Sequence, residues 1–404
     1  MKKFFFCINT LSRAGAETAL LEFMRRLAEK GYEIDLLVIT GIGEMAEELP
    51  KGVRLLNREY APVSILSEEG RRLLKKRIVR VSLSRGNLFR QLPSLTANLL
   101  GMIRKGRILP DKLLWRLLSQ GADETTEVYD CAVAYIEGGA TYYVADRVQA
   151  KKKAAFFHVD YGKAGYTPKL DRGCYDRFDS IYAVSDEVRD SFLRVYPQHR
   201  EKTFVFHNLL NREGILRKAR CAGGFSDDYS GKRILTIGRL TAQKCLEVSI
   251  RAMKLLAEQG VEARWYVLGE GDHRDKLERL IAASQLEERF YLLGAVDNPY
   301  PYLQQADLYV HASGFEGKSI AIQEAQILGK AILVSDCNGN REQVVSGADG
   351  EICPLSAEAV SAAIRRMLSD EELCRRYGQA AALKMAEDSS GQEALSMFLK
   401  RNME

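Results

Sequence analysis

The chain has 404 residues, of which 46% are hydrophobic and 28% are charged, so it is long enough to bury two or three cores. It contains no run of about 18 apolar residues, so we expect no membrane-spanning helix. The net charge of +5 arises from one segment, residues 71–116, which holds thirteen Lys and Arg against a single acid.

The first predicted elements form a βαβ unit. A buried strand, KKFFFCIN, precedes the loop TLSRAGAE; a helix, TALLEFMRRLAEKG, then ends on Gly31, and a second strand, YEIDLLVIT, follows. The two initial lysines and the apolar run resemble a signal peptide. We expect none, because the run is short and lacks an A-x-A-like cleavage site.

Residues 58–127 interrupt this alternation with a basic insertion that has a helical pattern and no strand signal. Beyond the insertion, strands resume at YDCAVAYIEG, KKAAFFHVD, FDSIYAVS and KTFVFHNLL. Residues 208–231 are polar and contain glycines, so we interpret them as a linker.

A second alternation begins near residue 231. The strand segments are KRILTIG, RWYVLGEG, RFYLLGAV, DLYVHAS and KAILVSD, with helical patterns after them. Two alternations predict an α/β protein with two Rossmann-like doubly wound domains facing across a cleft. We assign residues 1–207 to the first domain and 208–385 to the second, and expect a helix at about 386–404 to pack back on the first.

The loop GFEGKS follows a predicted strand in the second half, where ligands of such sheets bind. The amides of Ser319 and Ile320 would form an anion site at the start of the next helix. The carboxylate of Glu324 suits two ribose hydroxyls, and that of Glu316 suits a second sugar. Two solvated surface glutamates are the alternative. A P-loop is a further alternative, although Ala312 replaces its first glycine.

A second loop, in TIGRLTAQK, places Arg239 and Lys244 between a predicted strand and a helix. Two cations and a helix dipole suit a diphosphate. By themselves, however, two such cations are also typical of an exposed surface.

Four motifs of the second half occur in a fixed order: GRLTAQK, GEGDHRDKLERL, NPYPYLQQADLYVHAS and FEGKSIAIQE. In this order and spacing the chain resembles glycosyltransferase family 4, retaining enzymes of the GT-B fold with an E-x7-E signature, of the bacterial cell-surface polysaccharide type. The N-terminal LSRAGAETALLEFMRRLAEKGYEIDLLVIT resembles the first loop and helix of that family. The resemblance covers most of the chain except residues 58–127.

The resemblance implies roles for individual residues. The implied catalytic group is His158, Glu316, Arg239 and Lys244, with His158 reaching the transferred sugar. The resemblance also implies a donor-binding set, in which Arg239 and Lys244 hold the diphosphate, Glu324 binds the ribose and the backbone of Val296 meets the base. The contacts to the sugar and the phosphate are implied for Glu316, Lys318, Ser319 and Ile320. Gly15 and Ala16 match the first-domain loop that closes on the diphosphate.

Some positions depart from the family's pattern or allow another interpretation. Lys318 stands where the family often has Phe, Cys245 where glycine is common, and Gly15 is the only glycine of its loop. For His158 the alternative is a structural histidine that bonds a backbone carbonyl. His311, which ends the strand before the glutamate loop, has two interpretations, a residue that lines the site and a core residue, and we favour the core residue.

The predicted function is retaining transfer of a hexosyl group from a nucleotide-diphosphate sugar, with UDP-sugar preferred, to a glycan or lipid-linked glycan acceptor in cell-surface polysaccharide synthesis. No confident carboxylate nucleophile is found in the first half, which favours a front-face route in which the departing phosphate takes the acceptor proton. Because the chain lacks D-x-D, we expect neither a metal nor another cofactor. A P-loop-like nucleotide hydrolase and a non-catalytic nucleotide-sugar-binding module are the alternatives.

The basic segment 71–116 mixes Arg and Lys with apolar residues and predicts contact with an anionic membrane surface. A solvated helix pair is the alternative, and no nucleic-acid recognition module is visible. The eight cysteines are scattered without a C-x-x-C pair, which favours a reducing compartment. We therefore expect a cytoplasmic protein, peripheral on the inner face of the cell membrane.

Overall fold

The computed structural model describes residues 2–83, 95–96, 98–100, 102–103 and 110–403. The chain divides into two compact units. The first unit comprises Met1–Leu209 together with Ser390–Glu404, and the second comprises Leu210–Ser389. In the part of the chain that the structure describes, no helix combines the length and the apolar character needed to cross a bilayer.

The strands of both units are short and mostly buried. They are β1 (Lys3–Ile8), β2 (Glu33–Val38), β3 (Val53–Leu55), β4 (Val128–Ala134), β5 (Gln149–Phe157), β6 (Ser180–Ala183), β7 (Thr203–Val205), β8 (Lys232–Ile237), β9 (Ala263–Leu268), β10 (Phe290–Gly294), β11 (Leu308–His311), β12 (Ile332–Ser335) and β13 (Glu351–Cys353).

Helices connect these strands. They are α1 (Gly15–Glu29), α2 (Glu68–Leu83), α3 (Pro110–Gln120), α4 (Gly139–Arg147), α5 (Tyr161–Ala164), α6 (Pro168–Asp171), α7 (Asp186–Val195), α8 (Arg212–Ala219), α9 (Leu246–Glu258), α10 (Arg274–Ala283), α11 (Tyr300–Gln305), α12 (Ile320–Ile327), α13 (Asn338–Arg341), α14 (Ala357–Leu368), α15 (Glu371–Glu387) and α16 (Ser390–Met403). Short 3-10 segments lie at Glu44–Glu48, Cys174–Arg177, Pro197–Lys202 and Ala242–Lys244.

Each unit contains one parallel sheet. The first has the strand order β3-β2-β1-β4-β5-β6-β7, and the second has β10-β9-β8-β11-β12-β13. Central strands of such sheets are covered on both faces, so they read as continuous apolar runs such as FFFCI in β1. Chain order reverses between β1 and β4 and again between β8 and β11, as in Rossmann-like sheets. The predicted pair of Rossmann-like sheets is therefore confirmed.

Two strands escaped prediction. β3 and β13 each have three residues and lie at the edges of their sheets. A segment of three residues is too short to show a hydrophobic period, so its strand character depends on the neighbour with which it pairs.

Among its described residues, the predicted insertion contributes the helices α2 and α3 to the first unit. α2 and α3 pack against each other, and Val81 is buried at this contact beside Gly121. The remainder of the predicted insertion, residues 84–94, 97, 101 and 104–109, lies outside the described residues.

The interpretation of residues 208–231 as a linker is wrong in part. Residues 212–219 of this segment form α8, and its side chains Ile215 and Ala219 are buried in the core of the second unit. The polar residues of the segment lie on the outer side of that helix, so composition alone concealed a buried apolar face.

The C-terminal helix α16 belongs to the first unit. The ring of Phe398 is fully buried and lies against an aromatic cluster of the first sheet and α1, which consists of Phe4, Phe23, Phe156, Tyr182 and Phe206. Asn402 adds polar contacts: its Nδ2 donates to the Tyr182 hydroxyl at 2.8 Å, and its Oδ1 accepts from Ser180 at 2.7 Å.

Replacing Phe398 by Ala should destabilise the first unit by about 3–5 kcal/mol, because the substitution leaves a cavity inside an aromatic core. Thermal unfolding followed by circular dichroism measures this loss. Lys400→Ala, at an exposed position of the same helix, is the matched control and should change stability by less than about 0.5 kcal/mol. Equal melting of both variants would show that α16 does not support the first unit.

Candidate functional site

Two loops of the second unit meet where its strand order reverses. One follows β8 and the other follows β11, and these strands are neighbours in the sheet. The amide of Gly314 donates to the Gln243 carbonyl at 2.9 Å. The side-chain amide of Gln243 donates to the Phe315 carbonyl at 2.8 Å. These hydrogen bonds hold the two loops together at the carboxyl edge of the sheet.

A buried ion pair lies between these loops. Lys244 Nζ is 2.7 Å from Glu316 Oε1, and His311 Nε2 is 3.0 Å from the same oxygen. Burial would raise the pKa of Glu316, but the charge of Lys244 outweighs burial and holds that pKa well below its usual range. Glu316 is therefore an ionised carboxylate inside the protein.

His311 belongs to this cluster, although the sequence was interpreted to place it in the core. Its ring is 1% exposed, with Nε2 3.1 Å from Lys244 Nζ and Nδ1 2.9 Å from the Tyr309 hydroxyl. Burial and the Lys244 charge lower the pKa of His311. Both interpretations describe part of the finding: the ring is buried as a core residue is, yet it contacts two predicted site residues.

The second glutamate of the pair lies in a different environment. Glu324, on α12, is 7% exposed, and its Oε1 accepts a hydrogen bond from the Tyr300 hydroxyl at 2.8 Å. Burial raises the pKa of Glu324 to about 7, against the opposing effects of Tyr300 and Lys218. The alternative of two solvated surface glutamates is therefore wrong, because both side chains are buried.

The anion site predicted from the sequence lies at the start of α12. Ser319 precedes the helix with an extended backbone and no side-chain cap, so the first amides of the helix have no cap from that side chain. Gln343 donates to the Ser319 carbonyl at 3.0 Å and fixes the approach of the chain. A Cβ at Gly339 would clash with the Gly317 carbonyl, so α13 lies tightly against this loop. Lys318 is half-buried beside it.

The loop after β8 has its own support. A Cβ at Gly269 or Gly271 would clash with the backbone of residues 238–240, which explains two glycines of the GEGDHRDKLERL motif. Arg239 is exposed, and its side chain has no hydrogen-bond or ion-pair partner among the described residues. Cys245 has a φ of +44°, a conformation that glycine adopts more readily. Val296 is half-buried and packs against the neighbouring core.

In the first unit, His158 follows β5. Its ring hydrogen-bonds to the backbone of Tyr135, as the structural alternative requires. Its Nε2, however, is buried and has no hydrogen-bond partner in the described chain. Burial lowers the pKa of His158 to about 4, so the ring is neutral and its Nε2 is a hydrogen-bond acceptor.

Other residues at this edge were missed by the sequence analysis. Glu137 follows β4, is 4% exposed and accepts a hydrogen bond from the His158 amide at 3.2 Å. Asn9 follows β1; its Nδ2 donates to the Glu137 carbonyl at 3.0 Å and its Oδ1 accepts from the Ala140 amide at 2.8 Å. Their positions directly after neighbouring strands could have identified them, because those strand ends meet at one edge.

The structure thus brings some predicted residues together and separates others. Lys244 and Glu316 are in direct contact. Arg239, Val296, Lys318, Ser319, Ile320 and Glu324 also belong to the second unit, whereas Gly15, Ala16 and His158 belong to the first. Gly15 is exposed and Ala16 is half-buried at the N-terminus of α1.

The comparisons with known proteins concern the second unit most directly. Residues 228–384 match the family model described as "Glycosyl transferases group 1". The N-acetylgalactosamine-N,N'-diacetylbacillosaminyl-diphospho-undecaprenol 4-alpha-N-acetylgalactosaminyltransferase of Campylobacter jejuni is 28% identical over 205 residues, 50% of this chain and 54% of the relative. The poly(glycerol-phosphate) alpha-glucosyltransferase of Bacillus subtilis is 29% identical over 160 residues, which are 39% of this chain and 24% of the relative. The chain thus spans about half or less of these relatives.

Solved structures resemble the whole chain. Anabaena Alr3699/HepE, crystallised with UDP-glucose, has a TM-score of 0.67 at 15% identity and covers 99% of this chain and 100% of its own. A TarM variant from S. aureus, crystallised with UDP among other ligands, has a TM-score of 0.69 at 12% identity and covers 100% of both chains. Together with the two parallel sheets, these neighbours confirm the predicted two-domain GT-B fold.

Glu324→Gln should stabilise the protein at pH 8. Since the pKa of Glu324 is raised to about 7 from 4.5, its neutral form is favoured in the folded state, and stability is lost as pH rises through 7. Removing the charge should raise the free energy of unfolding by about 3 kcal/mol at pH 8 and should leave it unchanged near pH 4. Thermal melting at both pH values measures this difference.

The control for this prediction is Glu287→Gln, an exposed carboxylate of the same unit. It should shift melting by the same small amount at both pH values. A Glu324→Gln protein that melts like the parent at pH 8 would contradict a buried carboxylate with a raised pKa.

Proposed function

We propose that the protein is a retaining glycosyltransferase that moves a hexosyl group from a UDP-sugar to a glycan or lipid-linked glycan acceptor in cell-surface polysaccharide synthesis. The observation that carries the proposal is the Lys244–Glu316 pair at the strand-order reversal, followed on α12 by buried Glu324. The family match of residues 228–384 and the names of the relatives support a glycosyltransferase.

The cations act on the leaving group. Negative charge grows on the departing diphosphate, and donors that already point at it stabilise the transition state preferentially. Arg239 is exposed and Lys244 has a single carboxylate partner, so both can turn to a diphosphate. The amides of Ser319 and Ile320 at the start of α12 add neutral donors. Removing one such donor typically costs about 2.7–4 kcal/mol.

The remaining second-unit residues hold the nucleoside and the sugar. Glu324, once ionised, offers two acceptor oxygens to a ribose diol, whereas a neutral carboxyl uses one of its oxygens as an O–H donor. Glu316 and Lys318 lie on the loop that contacts the transferred sugar, and the backbone of Val296 meets the base. The solved neighbours that contain UDP are consistent with this donor class.

In the first unit, His158 Nε2 is a buried acceptor that suits a sugar hydroxyl. Gly15 and Ala16 at the N-terminus of α1 offer amides to an anion. For retention we favour the front-face route, in which the departing phosphate takes the acceptor proton. Double displacement needs a carboxylate nucleophile. Three described carboxylates of the first unit already accept hydrogen bonds within that unit: Glu137 from the His158 amide, Glu17 from the Thr10 hydroxyl and Asp160 from the Ser191 hydroxyl.

A screen of UDP-, GDP- and ADP-sugars by thermal shift tests the donor. A UDP-sugar should raise the melting temperature of the parent and have little effect on Glu324→Ala, which lacks the ribose acceptor. The product of transfer should keep the anomeric configuration of the donor. Activity should survive EDTA, because Arg239 and Lys244 take the place of a metal on the diphosphate.

Three outcomes would contradict the proposed metal-free glycosyltransferase. Loss of transfer in EDTA that Mg²⁺ or Mn²⁺ restores would overturn the metal-free mechanism. Nucleotide hydrolysis without any sugar transfer would favour the P-loop alternative. Tight donor binding without turnover, with several glycan acceptors present, would favour a non-catalytic binding module.

The basic segment 71–116 is proposed to contact an anionic membrane. In its described part, α2 exposes Arg71, Arg72, Lys75 and Lys76, and the large apolar side chains Val79 and Leu83 are also exposed. Cations beside exposed apolar side chains suit the boundary between lipid headgroups and acyl chains. Each cation near such a surface contributes about 1 kcal/mol. A lipid-linked acceptor would then lie close to the enzyme.

Sedimentation with vesicles measures this contact. The protein should pellet with phosphatidylglycerol but not with phosphatidylcholine, and added salt should release it because ions screen the attraction. Replacing Arg71, Arg72, Lys75 and Lys76 together by Ala should abolish pelleting, whereas Arg251→Ala with Lys254→Ala, exposed cations of α9, should not. Equal pelleting with both lipids, or none, would return the segment to a solvated helix pair.

A further inference from the structure

We propose that His311 is a positioning residue that exchanges its ring proton between two nitrogens, so that Glu316 keeps a hydrogen-bond partner when Lys244 turns away to a donor diphosphate. The last step rests on the proposed function. The exchange itself depends only on the contacts of His311 with Lys244, Glu316 and Tyr309.

One ring nitrogen faces two groups with opposite demands. His311 Nε2 is 3.0 Å from Glu316 Oε1 and 3.1 Å from Lys244 Nζ. An ionised carboxylate only accepts hydrogen bonds and an ammonium only donates them. Nε2 must carry a proton to bond Glu316 and must lack one to accept from Lys244. A neutral ring therefore satisfies one of these neighbours at a time.

The other ring nitrogen allows both arrangements. His311 Nδ1 is 2.9 Å from the Tyr309 hydroxyl, which also lies 3.5 Å from the Ile237 carbonyl. When Tyr309 donates to Nδ1, the proton is on Nε2 and faces Glu316. When Tyr309 donates to the Ile237 carbonyl, it accepts from Nδ1–H, and Nε2 is open to Lys244. Rotation of one hydroxyl proton accompanies each tautomer.

The surrounding protein keeps the His311 ring uncharged and holds it in place beside Tyr309. Tyr309 and His311 are two residues apart on β11, which pairs with β8 on one side and β12 on the other. Their side chains are 0% and 1% exposed, so water does not compete for the ring. Because burial and the nearby ammonium lower the pKa of His311, its change is one of tautomer and not of charge.

The exchange matters once Lys244 moves. Without the ammonium, the partners of the buried Glu316 carboxylate that are described are His311 and the Gln243 side-chain amide, the latter at 3.5 Å. A carboxylate buried without partners is strongly unfavourable. The Nε2–H tautomer supplies the missing donor at the same position. His311 thereby lowers the cost of releasing Lys244 to the donor.

Nitrogen NMR of the full chain with ¹⁵N-labelled histidine tests the exchange without any ligand. The chain has five histidines, and His311→Gln identifies the signal of His311. At pH 8.5, Lys244→Met should shift the His311 tautomer toward Nε2–H, whereas Lys276→Met, at an exposed lysine of the same unit, should not. An unchanged tautomer in Lys244→Met would overturn the proposal.

Donor kinetics test the consequence. His311→Phe, which cannot donate to Glu316, should lower kcat/KM for the donor by about 10–100-fold, and His311→Gln, which retains an N–H at that end, should restore most of it. Tyr309→Phe should fall between them, and Tyr266→Phe, whose hydroxyl bonds Asp227, should match the parent. Melting curves identify variants that fail to fold. If His311→Phe does not fold, the kcat/KM values of Tyr309→Phe and His311→Gln test the positioning role.

The two failures are distinguishable. If the parent binds no nucleotide sugar, the proposed function fails, while the NMR comparison still reports on the tautomer exchange. If the parent transfers sugar and His311→Phe transfers it equally well, the positioning role fails and the function stands.

Discussion

The ion pair between Lys244 and Glu316 is the interaction on which the second-unit site depends. Removing two charges from water is expensive, and their attraction compensates only when further hydrogen bonds complete the arrangement. Gln243 and, in its Nε2–H tautomer, His311 provide those bonds at Glu316. Because Lys244 follows β8 and Glu316 follows β11, the pair also holds two loops in one geometry. Under the proposed function, the site would thus contain a cation whose charge is balanced until the donor diphosphate arrives.

The two units use different chemistry to join the two loops at the point where their strand order reverses. Each has a sheet whose strand order reverses between its first and fourth strands, which leaves two loop starts side by side at the carboxyl edge. In the first unit the neutral side chain of Asn9 joins these loops through two backbone hydrogen bonds. In the second unit an ion pair does so. Neutral bonds make a fixed frame, whereas a lysine held by a carboxylate can change partner.

The two glutamates of the E-x7-E pair illustrate how environment divides identical groups. Both are 7% exposed. Glu316 has an ammonium at 2.7 Å, so its pKa is held low and it remains a carboxylate. Glu324 has a phenol as its nearest partner, so burial prevails and its pKa rises to about 7. Near neutral pH, one group is a fixed charge and the other is poised to ionise when a ligand provides hydrogen bonds.

The sequence by itself determined the two alternating series, most of their strands, the loops that carry Lys244 and Glu316 and the helix that carries Glu324, because apolar periodicity and strand ends are local properties. It could not determine the edge strands β3 and β13 or the buried face of α8, since each depends on a partner distant in the chain. Nor could it reveal that His311 joins Lys244 to Glu316. That contact exists because pairing of β11 with β8 brings residues 67 positions apart to within 3.1 Å, and only tertiary structure fixes such distances.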